Sequence, residues 1–264
     1  MSIRWMVLIP VALLMAATQM SCKKDQDNDE QSQPVPQPGV EAAVNFMVHP
    51  KRGTQEMAYG IDQPVTLPWE DRKVSFNIAQ LYLSGFELLN ADGSTVKLKD
   101  TYVLVTDQEA TFNLGQVPTG TYTGIRFQIG VDSVANHSDP SLRAPSHPLA
   151  LRVPSMHWSW NTGYIFIKAE GDFDCEVGLG PDHEQCEAFR YHIGTVPMLR
   201  TVELNHRLDV AAGAGGTYHV EIDWLKLFEG LNLPDDKLTH TMNNRPLAEK
   251  IANNGPKMFK IAHH

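Results

Sequence analysis

Apolar residues recur at every second position in short runs along most of this chain, and that period is the signature of half-buried strands. Val44, Phe46 and Val48 alternate with polar or variable neighbours, and Val74, Phe76 and Ile78 repeat the pattern. Leu81 and Leu83 are followed by Phe86 and Leu88, so the phase shifts near Ser84-Gly85, where a β-bulge is expected. Asn90-Ala91-Asp92-Gly93 is a hairpin turn signal. Val96, Leu98 and the run from Tyr102 to Val105 continue the sheet beyond it, and Phe112 and Leu114 lead into a second turn at Val117-Pro118-Thr119-Gly120. Ile125, Phe127, Ile129 and Val131 alternate with Arg126 and Gln128, and Tyr164 to Ile167 is a short apolar strand. Near the end, Tyr218, Val220, Ile222 and Trp224 share one face, with His219, Glu221 and Asp223 on the other.

Many short strands separated by turns point to an all-β sandwich or barrel. The expected fold is an antiparallel β-sandwich, immunoglobulin-like or related, with long loops. Asp132 to Pro154 is the longest irregular stretch, rich in Ser, Pro and His, and loops of that length are usually functional or disordered. One short C-terminal helix is expected from Pro246, with Leu247, Ala248, Ile251 and Ala252 on one side and Asn254-Gly255-Pro256 ending it.

The N-terminus reads as an export signal. Arg4 precedes an apolar run from Trp5 to Ala17, too short for a membrane-spanning helix, which needs about 20 residues. Ser21 then stands directly before Cys22, the arrangement a lipoprotein signal peptidase cleaves. Gln19 replaces the Leu of a strict lipobox; such a start resembles the lipoproteins of the Bacteroidetes. The other reading is an ordinary secretory signal with a chance cysteine. Residues 1–21 are thus expected to be a signal peptide, Cys22 the lipidation site, and 22–40 a polar tether with Pro34, Pro36 and Pro38. The folded domain is expected over residues 41–264, held at the cell envelope, on the periplasmic or surface face of the outer membrane.

The net charge of −9 argues against nucleic acid as a partner, because phosphate binding needs a basic face. Cys175 and Cys186 remain in the domain, and in an oxidising compartment their default is a disulfide. The rival reading is a metal site built with His183 and His192. No glycine-rich phosphate loop, nucleophile elbow or paired zinc-protease histidines occur, so a non-catalytic protein is expected. Histidine is abundant, 11 in all, and with Met and Trp nearby in an exported protein it suggests a soft or borderline metal such as copper. Trp158 and Trp160 share one face if Met156-His157-Trp158-Ser159-Trp160-Asn161-Thr162-Gly163-Tyr164 is extended; the bland reading makes them core anchors.

That last segment, with Tyr82-Leu83-Ser84, Val117-Pro118-Thr119-Gly120-Thr121-Tyr122, Phe127-Gln128-Ile129-Gly130-Val131-Asp132 and Asn136-His137, resembles the MbnP-like family of methanobactin-associated, extracytoplasmic copper-binding proteins. The resemblance spans roughly residues 42–262. It implies a copper-binding protein in which histidines and an oxidised tryptophan, kynurenine, hold the metal, the oxidation being done by a di-haem enzyme of the cytochrome c peroxidase type. His137 is the ligand that the resemblance carries over. His49, His157 and His192 are candidates on chemistry and context, and Trp158 and Trp160 are the candidates for oxidation. An outer-membrane metal transporter is a further expected partner. The sequence departs from the methanotroph-like branch in having two domain cysteines where that branch has four. The alternative function is a β-sandwich module that binds a protein or glycan without metal, for which an exposed aromatic strip including Trp69 and Trp158 would speak. A hydrolase has little support, since the acidic residues are scattered.

If Cys22 carries the lipid, Cys22→Ala leaves the membrane fraction on cell fractionation; retention there contradicts the anchor.

Overall fold

The computed structural model describes residues 39–106, 110–158, 163–175 and 186–262. In chain order their strands are β1 (Glu41–Arg52), β2 (Gln55–Glu56), β3 (Val65–Thr66), β4 (Lys73–Leu89), β5 (Thr95–Lys97), β6 (Val103–Val105) and β7 (Ala110–Pro118). There follow β8 (Gly120–Ile129), β9 (Ile165–Phe173), β10 (Glu187–Gly194), β11 (Arg200–Val210), β12 (Gly216–Asp223), β13 (Leu238–Thr239) and β14 (Phe259–Ile261). Besides short 3-10 turns, helix is confined to α1 (Ser133–Asn136) and α2 (Arg245–Asn254). The expected signal peptide, Cys22 and most of the expected tether lie outside the described residues.

The strands form two sheets, as the period-two pattern requires. The smaller runs β14-β12-β1-β2, with β7 also on β1; the larger runs β11-β8-β4-β9-β10-β13, with β3, β5 and β6 also on β4. The all-β, sandwich-like expectation holds. Pairing is antiparallel except at β1–β12 and β10–β13, which are parallel. Parallel partners cannot be joined by a tight hairpin, so a sequence reading built on turn signals sees only antiparallel pairs.

Alternation produces the core directly. Val44, Phe46 and Val48 of β1 are fully buried and meet the larger sheet, whose Phe86 and Phe127 rings lie 5.7 and 5.4 Å from Phe46. Phe259 of β14 closes on Phe127 at 5.2 Å. In a second aromatic group Phe189 packs edge-on to both Phe76 and Phe228, and Phe76 is tilted against Phe228, with centroids 5.0–5.8 Å apart. Such edge-to-face contacts add roughly 0.5–1.5 kcal/mol per pair beyond area burial. Trp224 is fully buried at the end of β12.

The expected bulge in β4 is present: its register against β8 shifts between Ser84 and Glu87, with Gly85 at φ +61°. The turn at Thr119 carries the chain from the smaller sheet to the larger, and the Tyr122 hydroxyl ties the corner by donating to the Pro118 carbonyl at 2.7 Å. Helix α2 starts one residue earlier than expected; the Asn244 side chain accepts from Leu247 N, and Leu247, Ala248, Ile251 and Ala252 are buried as predicted. Strands β10 and β11 were not anticipated. On β10 the buried Phe189, Tyr191 and Ile193 alternate with Arg190 and His192. On β11 the ladder to β8 shifts between Asn205 and Leu208, which breaks the period.

Cys175 and Cys186 form a disulfide, with Cα atoms 4.6 Å apart. It ties the two strands together at the loop end of the β9–β10 hairpin, just beyond the Phe173–Glu187 pair. The disulfide reading therefore stands and the Cys–His metal alternative falls, since both sulfurs are spent; His183 lies outside the described residues. Replacing both cysteines by Ser should cost up to about 3 kcal/mol of stability on the chain-entropy model, read as a lower denaturant midpoint under non-reducing conditions. Gly171 of β9 sits where an added Cβ would collide with the Ser75 carbonyl and approach Phe189 to 2.8 Å. Gly171→Ala should therefore destabilise by about 1–3 kcal/mol through overpacking; an unchanged midpoint in urea denaturation would contradict that close approach.

Candidate functional site

The long loop after β8 is held by side-chain hydrogen bonds rather than by strands. Gly130 leaves β8 at φ +117° because Phe166 and Leu199 occupy the space where a Cβ would stand. Asp132 then caps α1, its Oδ1 accepting from Val134 N at 3.0 Å and Ala135 N at 3.1 Å, while its Oδ2 accepts from the Tyr102 hydroxyl at 2.6 Å. Asn136 is buried, and its Oδ1 accepts from Tyr164 N at 2.8 Å. Gly163, at φ +84°, lies flat against that amide, with no room for a Cβ.

The segment around Met156 closes the same clasp. Ile165 N donates to the Met156 carbonyl at 2.9 Å and Trp158 N to the Gly163 carbonyl at 3.3 Å. The hydroxyls of Tyr164 and Tyr82 reach back to the carbonyls of Leu149 and Pro148 at 2.7 and 3.1 Å, pinning the far part of the loop. Burial raises the pKa of both phenols, so they serve as neutral donors. Asp132, Asn136, Gly163 and Tyr164, singled out in sequence as a motif, thus form one hydrogen-bonded unit.

Across that unit opens a pocket of about 740 Å³ lined by His137, Trp158, Val196, Pro197, His240 and Met242, among others. His137 ends α1 with its ring exposed, and its Nδ1 lies 2.6 Å from the Ser133 carbonyl. A carbonyl can only accept, so Nδ1 is the protonated nitrogen of the neutral ring, and Nε2 is then the one with the lone pair, the tautomer in which metal-binding imidazoles are held. Trp158 packs partly against the core, and Gly194 makes room for it: a Cβ there would stand 2.9 Å from Cζ3 of the indole. On the opposite wall, Thr241 is fully buried, and its hydroxyl donates to the His192 carbonyl at 2.8 Å while accepting from Gly194 N at 2.9 Å. Pinned there, Thr241 adopts φ +64°, and nearby Thr195 adopts φ +73°. Left-handed backbone is unfavourable for β-branched residues, and such strain concentrates at functional sites. The strained turn leaves His240 and Met242 exposed, Met242 at 72 %.

The four histidines named from sequence do not converge. His192 stands behind the pocket, its ring 4.4 Å from that of His240 and its Nε2 2.6 Å from Glu170 Oε1. Burial lowers the His192 pKa despite the carboxylate, so the neutral ring donates Nε2–H to Glu170. Burial alone would raise the Glu170 pKa, but His192 and Lys168 outweigh it and the net shift is downward. His157 faces away from the pocket lining, edge-on to Tyr164 at 4.8 Å, with its pKa lowered by burial. His49 is on the smaller sheet beside His219. Among the described residues no group of three or more His, Cys, Asp or Glu side chains could hold a metal ion, so any site here draws on other donors. Trp160 lies outside the described residues. Trp69, 37 % exposed, has the Lys226 ammonium over its ring, whereas Trp158 packs on the core, and no shared aromatic strip is formed by the two. His240 and Met242 were missed in the sequence, because they sit about a hundred residues after His137 in a segment with no motif of its own.

A search of curated proteins gave no match. Among solved structures, MbnP from Methylosinus trichosporium is similar, with a TM-score of 0.51 and 19 % identity over 72 % of this chain and 78 % of that one. At that identity the likeness is one of fold. The family model described as MbnP matches residues 41–244, a span that takes in both strained threonines and every pocket residue named above, and on that match the chain belongs to the MbnP family.

Proposed function

We propose that this chain is an extracytoplasmic copper-binding lipoprotein without catalytic activity, and that the pocket between α1 and the turn at Thr241 is its metal site. One observation carries the reading: two imidazoles, a thioether and an indole, from His137, His240, Met242 and Trp158, come from three separate stretches of chain to line one pocket. Thioether and imidazole donors suit soft Cu(I), and the neutral tautomer of His137 leaves Nε2 ready to bind. A Met side chain exposed at 72 % beside two histidines is costly in water and reasonable as a ligand arm. In this reading His137, His240 and Met242 hold the ion.

Trp158 is the tryptophan in position for oxidation to kynurenine, since it forms a wall of the same pocket. A di-haem peroxidase-type partner would supply the oxidant. Val134, Leu142 and Val153, all at least 83 % exposed on the long loop, favour a protein partner docking there. Lipid at Cys22 keeps the domain at the membrane, where an outer-membrane metal transporter would be the other partner. The acidic net charge of −9 favours cation approach over nucleic acid.

Anaerobic Cu(I) titration of protein from its native host tests the site. His137→Ala, His240→Ala and Met242→Leu should each weaken binding at least tenfold, about 1.4 kcal/mol. Neutral imidazole is the binding form, so affinity should also fall below roughly pH 6.5, where free histidine takes up a proton. Equal affinity in all variants would remove the pocket from the site. Absence of binding in any protein would favour the metal-free module for a protein or glycan.

A further inference from the structure

A second pocket, of about 590 Å³, opens between the bulge of β4, the β5–β6 connection and the long loop. Helix α1 stands between the two pockets. Ser133, Asn136 and His137 line the first, Val134, Ala135 and Ser138 line the second, and the two share no lining residue among those described. A volume of that order is typical of small-molecule sites. The apolar part of the wall is Phe86, Leu98 and Ala135, and the Tyr102 ring lies tilted against the His147 ring at 6.1 Å.

The polar part of the wall has donors to spare and few free acceptors. Of its three carboxylates, Glu87 faces Lys97 and Arg126, each at 3.4 Å. Asp132 is engaged at both oxygens, Oδ1 by the α1 backbone and Oδ2 by the Tyr102 hydroxyl. Asp100 is left, exposed in the β5–β6 connection. The half-buried Arg143 guanidinium makes one hydrogen bond among the described residues, to Ser138 Oγ at 3.3 Å, and no ion pair. Lys99 makes no ion pair among them either. His147 Nδ1 accepts from Leu149 N at 3.0 Å. A backbone N–H can only donate, so Nε2 carries the proton of the neutral His147 ring. Burial, then the charges of Arg143 and Arg152, lower the His147 pKa and keep the ring neutral. A guanidinium, an ammonium and an imidazole N–H therefore line one pocket with no carboxylate among the described residues committed to them.

We propose that this pocket binds a small organic carboxylate with an apolar or aromatic body. The planar fork of Arg143 matches a carboxylate, and Lys99 and the His147 Nε2–H add to it. Phe86 and Leu98 receive the body of the ligand. Asp100 opposes the anion from the rim. The site uses no residue of the copper pocket, and it stands whether or not copper binds there.

Calorimetric titration of the full chain with 2-naphthoate, its uncharged amide and inorganic phosphate, together with histidine ¹⁵N spectra, tests it. Naphthoate alone has both the charge and the apolar body, so it should bind roughly tenfold or more tighter than either of the others, with the His147 resonances moving. Arg143→Gln should lose roughly tenfold or more in naphthoate affinity. Lys99→Gln, at an exposed position, should also weaken binding with an unchanged melting curve, and Asp100→Asn should strengthen it. Cu(I) affinity should match wild type in all three variants, which separates failure here from failure of the copper reading. Equal binding of naphthoate and its amide overturns the proposal, as does phosphate binding as tightly as naphthoate. Wild-type naphthoate affinity in Arg143→Gln, or no naphthoate binding to wild type, overturns it as well.

Discussion

Strand β4 is the constraint on which the larger sheet depends. It is 17 residues long and pairs with β3, β5, β6, β8 and β9, so its backbone is hydrogen-bonded along both edges. Part of it is also covered on both faces, since Leu81, Tyr82, Leu83 and Ser84 are consecutive and all buried. Straight pairing over that length would fight the natural twist of the sheet. The bulge between Ser84 and Glu87 relieves it, bending the strand so that Phe86 meets Phe46 of the opposite sheet. The same strand supplies Tyr82, whose ring packs edge-on to Tyr164 and whose hydroxyl holds the long loop. The frame of the sandwich and the support of the pocket thus rest on one element.

The pocket is assembled by constraint at three points. Asn136 spends its buried oxygen on Tyr164, Thr241 spends its hydroxyl on β10, and Gly194 gives up a side chain so that Trp158 can lie across the strand end. A buried polar group left without these bonds would cost about 1–3 kcal/mol. Each interaction is therefore an address that fixes where His137, Trp158, His240 and Met242 stand. Membership of the MbnP family, with a fold likeness at 19 % identity, fits a scaffold of this kind, in which a rigid sandwich positions donors carried on loops.

Particular residues show why the sequence was readable in some places and silent in others. Val44, Phe46 and Val48 announce a strand because burial on one face of a sheet imposes a period on neighbouring positions. Leu247, Ala248, Ile251 and Ala252 announce a helix for the same reason at another period. Asn136-His137 and Met156 to Tyr164 stood out as a pattern, yet Asn136, Gly163 and Tyr164 proved to be a structural clasp, and of the described residues in that pattern it is Asn136, His137 and Trp158 that line the pocket, Asn136 with its side-chain oxygen spent on Tyr164 N. His157 and His192, named on chemistry, turn to Tyr164 and Glu170 instead.

What the sequence determined by itself was local: the strand pattern, the bulge at Gly85, the C-terminal helix and, through the count of cysteines in the domain, the disulfide. Each depends on residues near one another or on simple elimination. The meeting of His49 with His219, and of His137 with His240 and Met242, was decided only by the tertiary structure. Parallel pairing of β1 with β12 joins segments some 170 positions apart, and the turn pinned by Thr241 reaches the loop across the end of β10. No local period encodes such pairings, because they arise from burying one whole sheet against another.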